Sequence, residues 1–319
     1  MKSYKEIADI GIIPVVTFDK SEQVVPTIKA LHNAGIRSIE VTLRTEIGLE
    51  AIEQIKNEFS DFIVGAGTIL NEEQVMEAVK RDVDFLVSPG IDEQVLKAAQ
   101  KKDTLIIPGV ATPGEIQQAV RFGLGTVKLF PAEQLGGTDY LKALSGPYSK
   151  MKFFPTGGIS NDNISEYLSC SNVICCGGSW LVTKNLLDTG NYGRIEKNAR
   201  DTIRKIMGFQ LKHIGINCVC AEEAKSVAEE FNAVFGFKCN ENASSIFCND
   251  DVEVLKKEYF GKKGHIAIGT TNPGKAVIYL ERNGITFNKN SAVYRNDGEL
   301  HAIYLQKEIG EFAIHLVKK

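Results

Sequence analysis

Eight short runs of β-branched and apolar residues recur along the first two-thirds of the chain, each followed by turn residues and a helical pattern. The runs lie at 12–16, 38–43, 63–68, 85–88, 105–110, 126–130, 152–156 and 173–177. Helical patterns follow at, for example, 21–33, 45–58, 71–81, 92–101, 112–122 and 161–168. Continuous apolar runs suit strands covered on both faces, as in a parallel sheet flanked by helices. Asn71 and Asp92 stand where helix N-caps are needed, with acidic residues in the turn that follows each. Eight such βα units predict an α/β fold, a (β/α)8 barrel of the TIM type, closed by a helix over 192–207. A doubly wound sheet would need fewer strands or a dinucleotide fingerprint, and no Gly-x-Gly-x-x-Gly follows the first run.

From about residue 211 the pattern changes. His213-Ile214-Gly215-Ile216 recurs as His265-Ile266-Ala267-Ile268, and each copy precedes a helical stretch and further strands. This predicts a small α+β domain of paired βαβββ modules, with a division into residues 1–208 and 209–319. The 319 residues, 43% hydrophobic, supply enough apolar material for two cores and exclude a disordered or collagen-like chain. A formal net charge of −3 without blocks of like charge argues against nucleic acid or an anionic membrane as partner. No apolar run approaches the ~18 residues of a transmembrane helix. The first residues, Met1-Lys2-Ser3-Tyr4-Lys5-Glu6, lack the apolar stretch of a secretory signal. Seven cysteines cannot all pair within one chain, and most sit in apolar runs such as Val173-Ile174-Cys175-Cys176. They read as small buried side chains in a reducing cytoplasm.

Barrel chemistry sits at the C-terminal ends of the strands. Two runs carry ionisable residues there: Thr126-Val127-Lys128-Leu129-Phe130-Pro131 and Ser38-Ile39-Glu40-Val41-Thr42-Leu43-Arg44. Strand alternation puts Val127 and Leu129 against the helices, so Thr126, Lys128 and Phe130 point into the barrel. By the same rule Glu40, Thr42 and Arg44 face inward from the second strand, opposite the sixth. Lysine and glutamate are seldom buried without a partner or a role. A lysine amine in its neutral form attacks a carbonyl to give an imine, and the protonated imine draws electrons from the adjacent carbon, activating C–C cleavage. Burial and a nearby cation both favour the neutral amine, and Arg44 is the expected cation. Glu40 is the expected proton shuttle. The runs Thr156-Gly157-Gly158-Ile159-Ser160 and Gly177-Gly178-Ser179 end adjacent strands, where bare backbone N–H groups can approach a phosphate or carboxylate.

At these positions, over about residues 5–207, the chain resembles the 2-keto-3-deoxy-6-phosphogluconate aldolases, a family that overlaps the 4-hydroxy-2-oxoglutarate aldolases. The resemblance is carried by Glu40-Val-Thr-Leu-Arg44-Thr-Glu, Val64-Gly-Ala-Gly-Thr68, Ser88-Pro89-Gly90, Pro108-Gly109, Lys128-Leu-Phe130-Pro-Ala-Glu, Pro155-Thr156-Gly157-Gly158-Ile-Ser and Gly177-Gly178-Ser179-Trp180. It implies a class I, Schiff-base lyase that needs no metal, acts on a small keto acid and assembles as a homotrimer. Lys128 then resembles the imine-forming lysine and Glu40 the general acid/base. Arg44, Thr68 and Pro89 resemble the groups around the pyruvyl carboxylate and hydroxyl chain, and Phe130 the aromatic beside the lysine. Thr156 matches a threonine that helps set stereochemistry, and Gly157, Gly158, Gly178 and Ser179 match the phosphate cradle. Two other readings remain open at this stage. One is a phosphate-binding barrel isomerase or epimerase, which has no use for an inward Lys128. The other is a barrel regulated by a ligand-binding C-terminal module.

The C-terminal segment resembles the vicinal-oxygen-chelate superfamily, which includes glyoxalases and extradiol dioxygenases. The resemblance implies metal ligands at His213, Glu253, His265 and His315, where the last departs from a more usual glutamate. Such a donor set suits Zn, Ni or Fe(II) better than Mg or Ca.

Overall fold

The structure is a computed structural model and describes residues 4–319. The chain forms two compact units, one ending at Ile206 and one spanning Met207–Lys319. In the first unit the strands are β1 (Ile12–Val16), β2 (Ser38–Thr42), β3 (Ile63–Gly67), β4 (Phe85–Val87), β5 (Leu105–Ile107), β6 (Gly109–Val110), β7 (Thr126–Leu129), β8 (Lys152–Pro155) and β9 (Cys176–Gly178). They run parallel in the orders β5-β4-β3-β2-β1-β9 and β6-β7-β8, and helices separate most of them. The curled sheets make a TIM-type barrel.

Two strands depart from their expected form. The run 105–110 is split at Pro108, which has no N–H to continue a ladder. Its carbonyl still accepts from the Lys128 N–H at 2.8 Å, so β7 stays in register across the break. The last strand begins at Cys176, while Val173 makes only a bridge to Phe153.

The barrel is filled. Ile13, Ile63, Phe85, Val87, Ile107, Phe154 and Cys175 form one buried cluster, and Ile7 and Ala8 pack against it from the N-terminal segment. The Phe85 ring occupies the space where a Cβ on Gly65 would fall, 2.2 Å away. Polar residues collect further along the strands. The surrounding helices bury one stripe each; in Glu93–Lys101 it is Val95, Leu96, Ala98 and Ala99. Both expected caps form: Asn71 Oδ1 accepts from Gln74 N, and Asp92 Oδ1 from Val95 N, each at 2.9 Å. No helix of the described residues is long and apolar enough to cross a membrane.

The second unit contains β10 (Gln210–Asn217), β11 (Cys239–Glu241), β12 (Ser245–Cys248), β13 (Val252–Leu255), β14 (His265–Thr270), β15 (Phe287–Tyr294), β16 (Leu300–Leu305) and β17 (Ala313–Lys318). Helices Ala221–Phe235 and Pro273–Arg282 follow the first strand of each module. This is βαβββ twice. The single sheet has the order β11-β12-β13-β10-β14-β17-β16-β15, so the two first strands pair at its centre, antiparallel. Each first strand also pairs in parallel with the last strand of its own module. Ala224 and Ala228 of the helix Ala221–Phe235 form one buried cluster with Cys218, Ile246, Cys248 and Val254.

Candidate functional sites

Lys128 and Glu40 are brought together. Both are buried, and Lys128 Nζ lies 3.4 Å from Glu40 Oε1. The second carboxylate oxygen of Glu40 has no protein partner. The Lys128 ammonium position is 5.3 Å from the centre of the Phe130 ring, within cation–π range. Alternation therefore predicted the phase of β2 and β7 correctly. It did not predict how Glu40 reaches the lysine. A Cβ on Gly67, one strand over, would fall 2.3 Å from Glu40 Oε1, so the carboxylate lies in space that only glycine leaves empty.

Arg44 stands differently from its expected place. It lies beyond the end of β2 and is exposed, and its Nε donates to Thr68 Oγ1 at 3.2 Å. The charged group against Lys128 Nζ is the Glu40 carboxylate, an anion, rather than the Arg44 guanidinium. Inward alternation holds only within the ladder, and Arg44 has left it. Thr68 follows β3 with φ 61°, a left-handed conformation that a β-branched residue rarely adopts. That conformation accompanies the placement of its hydroxyl under Arg44. Pro89 is half-buried beside β6, and its carbonyl oxygen lies 2.1 Å from where a Cβ on Gly109 would stand. Thr42, buried, shares a 2.6 Å hydrogen bond with Thr17, a pair the sequence reading did not single out.

Thr156 is buried at the end of β8, with its hydroxyl unpartnered and packed where Gly177 has no side chain. Gly157 and Gly158 follow with φ of 96° and 78°. Their missing side chains make room for Pro131 and Glu133 respectively. The loop is held by Asn163, whose Nδ2 donates to the Gly158 carbonyl at 3.1 Å, and Glu133 accepts from the Tyr167 hydroxyl. Gly178 is buried, whereas Ser179 is exposed.

In the second unit the four expected ligand residues lie on one face of the sheet. Register explains this. Glu253 on β13, Gly215 on β10, His265 on β14 and Ala313 on β17 form one lateral row. His213, Ala267, His315 and Tyr304 form the next. In the first row large and small residues alternate, and in the second Ala267 separates His213 from His315, so a small neighbour leaves room beside each histidine. A Cβ on Gly215 would fall 2.1 Å from the His265 ring. His213 Nε2 is 3.1 Å from His265 Nε2, and Glu253 Oε2 is 3.4 Å and 3.2 Å from these two atoms. One nitrogen of each of the three histidines lies within 4.8 Å of the others. His265 Nδ1 and both ring nitrogens of His315 are buried without a partner. Burial and the neighbouring imidazoles push His315 down to about 3, so its ring is neutral. Burial raises the Glu253 carboxyl, but hydrogen bonds from His213, His265 and Ser245 outweigh it and hold the group well below the usual carboxylate range. Tyr304 stacks on His315 at 4.7 Å between ring centres.

Comparison with known proteins agrees with the barrel chemistry. The family described as KDPG and KHG aldolase matches residues 4–198. The KHG/KDPG aldolase of Escherichia coli K12 is 43% identical over 208 residues, which cover 64% of this chain and 98% of that protein. The 2-dehydro-3-deoxy-phosphogluconate aldolase of Dickeya dadantii is 44% identical with the same coverage. Among solved structures, the KDPG aldolase of Legionella pneumophila, with pyruvate captured as a covalent carbinolamine, superposes with a TM-score of 0.61. It is 36% identical and covers 63% of this chain and 99% of its own. The aldolase of Zymomonas mobilis ZM4 with 3-phosphoglycerate gives a TM-score of 0.59 at 33% identity, over 62% of this chain and 93% of its own. The chain belongs to the KDPG and KHG aldolase family.

Proposed function

We propose that the barrel, taken as residues 1–208, cleaves 2-dehydro-3-deoxy-6-phosphogluconate to pyruvate and glyceraldehyde 3-phosphate through an imine on Lys128. The observation that carries this reading is the buried Lys128–Glu40 pair. The lysine amine adds to the C2 carbonyl, and the carbinolamine loses water to give the protonated imine. Glu40 takes the proton of the C4 hydroxyl; the C3–C4 bond breaks, and its electrons pass to the imine, leaving an enamine. Protonation at C3 and hydrolysis release pyruvate and regenerate the amine. The free Glu40 oxygen and the unpaired Thr156 hydroxyl suit contacts with the substrate's hydroxyl chain. Arg44, Thr68, Pro89 and Phe130 would surround the pyruvyl end. Gly157, Gly158, Gly178 and Ser179 would cradle the phosphate, or the second carboxylate of 4-hydroxy-2-oxoglutarate. The same reading takes the enzyme as a cytoplasmic homotrimer. Borohydride added with pyruvate should fix a reduced adduct on the peptide bearing Lys128, and Lys128→Arg should lose it. An adduct on another lysine, with Lys128→Arg still active, overturns the mechanism.

We further propose that His213, His265, His315 and Glu253 hold a divalent transition metal in residues 209–319. The unpartnered buried nitrogens of His265 and His315 support this, since buried polar atoms otherwise find partners. Three imidazoles and a carboxylate suit Zn, Ni or Fe(II). A metal bound there would act as a Lewis acid on an oxygen ligand. The test is elemental analysis of the full chain after incubation with each ion: one ion per chain, lost in a His213→Ala/His265→Ala double variant, is the expected result.

A further inference from the structure

Two of the cysteines meet across a β-ladder. Cys239 on β11 pairs directly with Cys248 on β12, and their sulfurs are 3.0 Å apart. Both are free thiols, Cys248 buried and Cys239 half-buried. Cys239 Sγ also lies 3.3 Å from the Ala228 carbonyl oxygen, so the pair sits under the helix Ala221–Phe235.

We propose that Cys239 and Cys248 are an oxidation site, at which a peroxide converts the thiol pair to an intramolecular disulfide. A disulfide needs Cα atoms about 4.4–6.8 Å apart. Directly opposed residues of an antiparallel pair meet that condition, at roughly 4.5–5.5 Å. The backbone therefore need not move, and the sulfurs have only to close by about 1 Å to reach bonding distance. β11 is the edge strand of its sheet and only three residues long, so small adjustments there cost little.

The chemistry balances in two steps. Cys239, the more accessible thiol, attacks one oxygen of hydrogen peroxide; the O–O bond breaks, leaving a sulfenic acid and releasing one water. Cys248 then attacks the Cys239 sulfur. The S–O bond breaks, and the hydroxyl leaves as a second water with the Cys248 proton. Two thiols lose two electrons, and the peroxide gains them. Burial and the neighbouring Cys239 push the Cys248 thiol up to about 12, which disfavours its thiolate. Contact between the sulfurs offsets this by making the second step intramolecular.

The bond would staple the hairpin beside the face that carries His213, His265 and Glu253. Cys248 pairs with Val252, next to Glu253. Phe247 meets the His213 ring edge-on, with ring centres 5.5 Å apart, and Ser245 hydrogen-bonds to the Glu253 carboxylate. A cytoplasmic disulfide of this kind is expected to be transient and redox-responsive.

The test uses the full chain treated with hydrogen peroxide, then alkylated in denaturant and digested without reduction. The expected product is a peptide species joined at Cys239 and Cys248, two hydrogens lighter than the dithiol form and separated by reductant. Cys239→Ala and Cys248→Ala should each abolish it, while pyruvate trapping at Lys128 continues unchanged. Recovery of both residues as alkylated thiols after peroxide treatment overturns the proposal. So does conversion of Cys239 to a sulfinic acid with Cys248 left free. The wild-type result decides by itself if either variant folds poorly.

Discussion

Glu40 reaches Lys128 through a gap left by another strand. Gly67 has no side chain, and the carboxylate fills that space. Gly67→Ala should therefore displace Glu40 and lower kcat by roughly 100-fold, the cost of about an ångström of misplacement at a reacting group. Glu40→Gln should lower kcat by at least ~100-fold, as expected for a lost acid/base group. Both should keep a native circular dichroism spectrum. A near-normal rate in Glu40→Gln would move the proton shuttle to another group or to water. The two central residues were legible because each sits inside a strand, where alternation fixes which face a side chain takes. Alternation does not fix the direction of Arg44, which lies past the ladder, where that constraint ends. Gly67 and the Thr17–Thr42 pair were not legible, since both depend on contacts between strands that no single segment contains.

The strands show the same division between local and non-local information. Apolar runs indicated where strands form, and Pro108 marked a break by a rule as local as any, its missing N–H. The repeat of His213-Ile214-Gly215-Ile216 as His265-Ile266-Ala267-Ile268 showed two related modules. It did not show that the repeated strands pair antiparallel at the sheet centre, or that Gly215 then lies directly opposite His265. That register gives the small residue of each repeat its meaning: Gly215 admits the His265 ring, and Ala267 sits between His213 and His315. Gly215→Ala should push the His265 ring off its position and weaken binding of Zn or Ni by at least ~10-fold, the lower end of what a lost supporting contact costs a metal site. Calorimetric titration of the full-length variant checks this. Unchanged affinity with a native spectrum would mean that the ring is free to shift and is not held by the glycine.

The whole molecule joins two units whose buried polar clusters are of different kinds. In the barrel the imine formed on a lysine is the electron sink, and a Schiff-base aldolase needs no metal. In the second unit the clustered groups are three imidazoles and a carboxylate, a donor set that suits a divalent transition metal. The two proposed chemistries would draw on separate residues, Lys128 and Glu40 on β7 and β2, and the histidines on β10, β14 and β17. Dialysis of the full chain against EDTA should therefore leave the rate of 2-dehydro-3-deoxy-6-phosphogluconate cleavage unchanged while removing the bound ion. It should also lower the melting temperature, because an ion that binds only the folded state stabilises it, by about 2.7 kcal/mol at a concentration 100 times its Kd. The His213→Ala/His265→Ala variant should show the same cleavage rate with and without chelator, and no change in melting temperature between the two. Loss of cleavage on chelation, restored by a divalent ion in the wild-type chain, would tie the metal to the barrel's reaction and contradict the imine mechanism. Unchanged melting and no released ion would leave the barrel mechanism standing and remove the metal from the second unit.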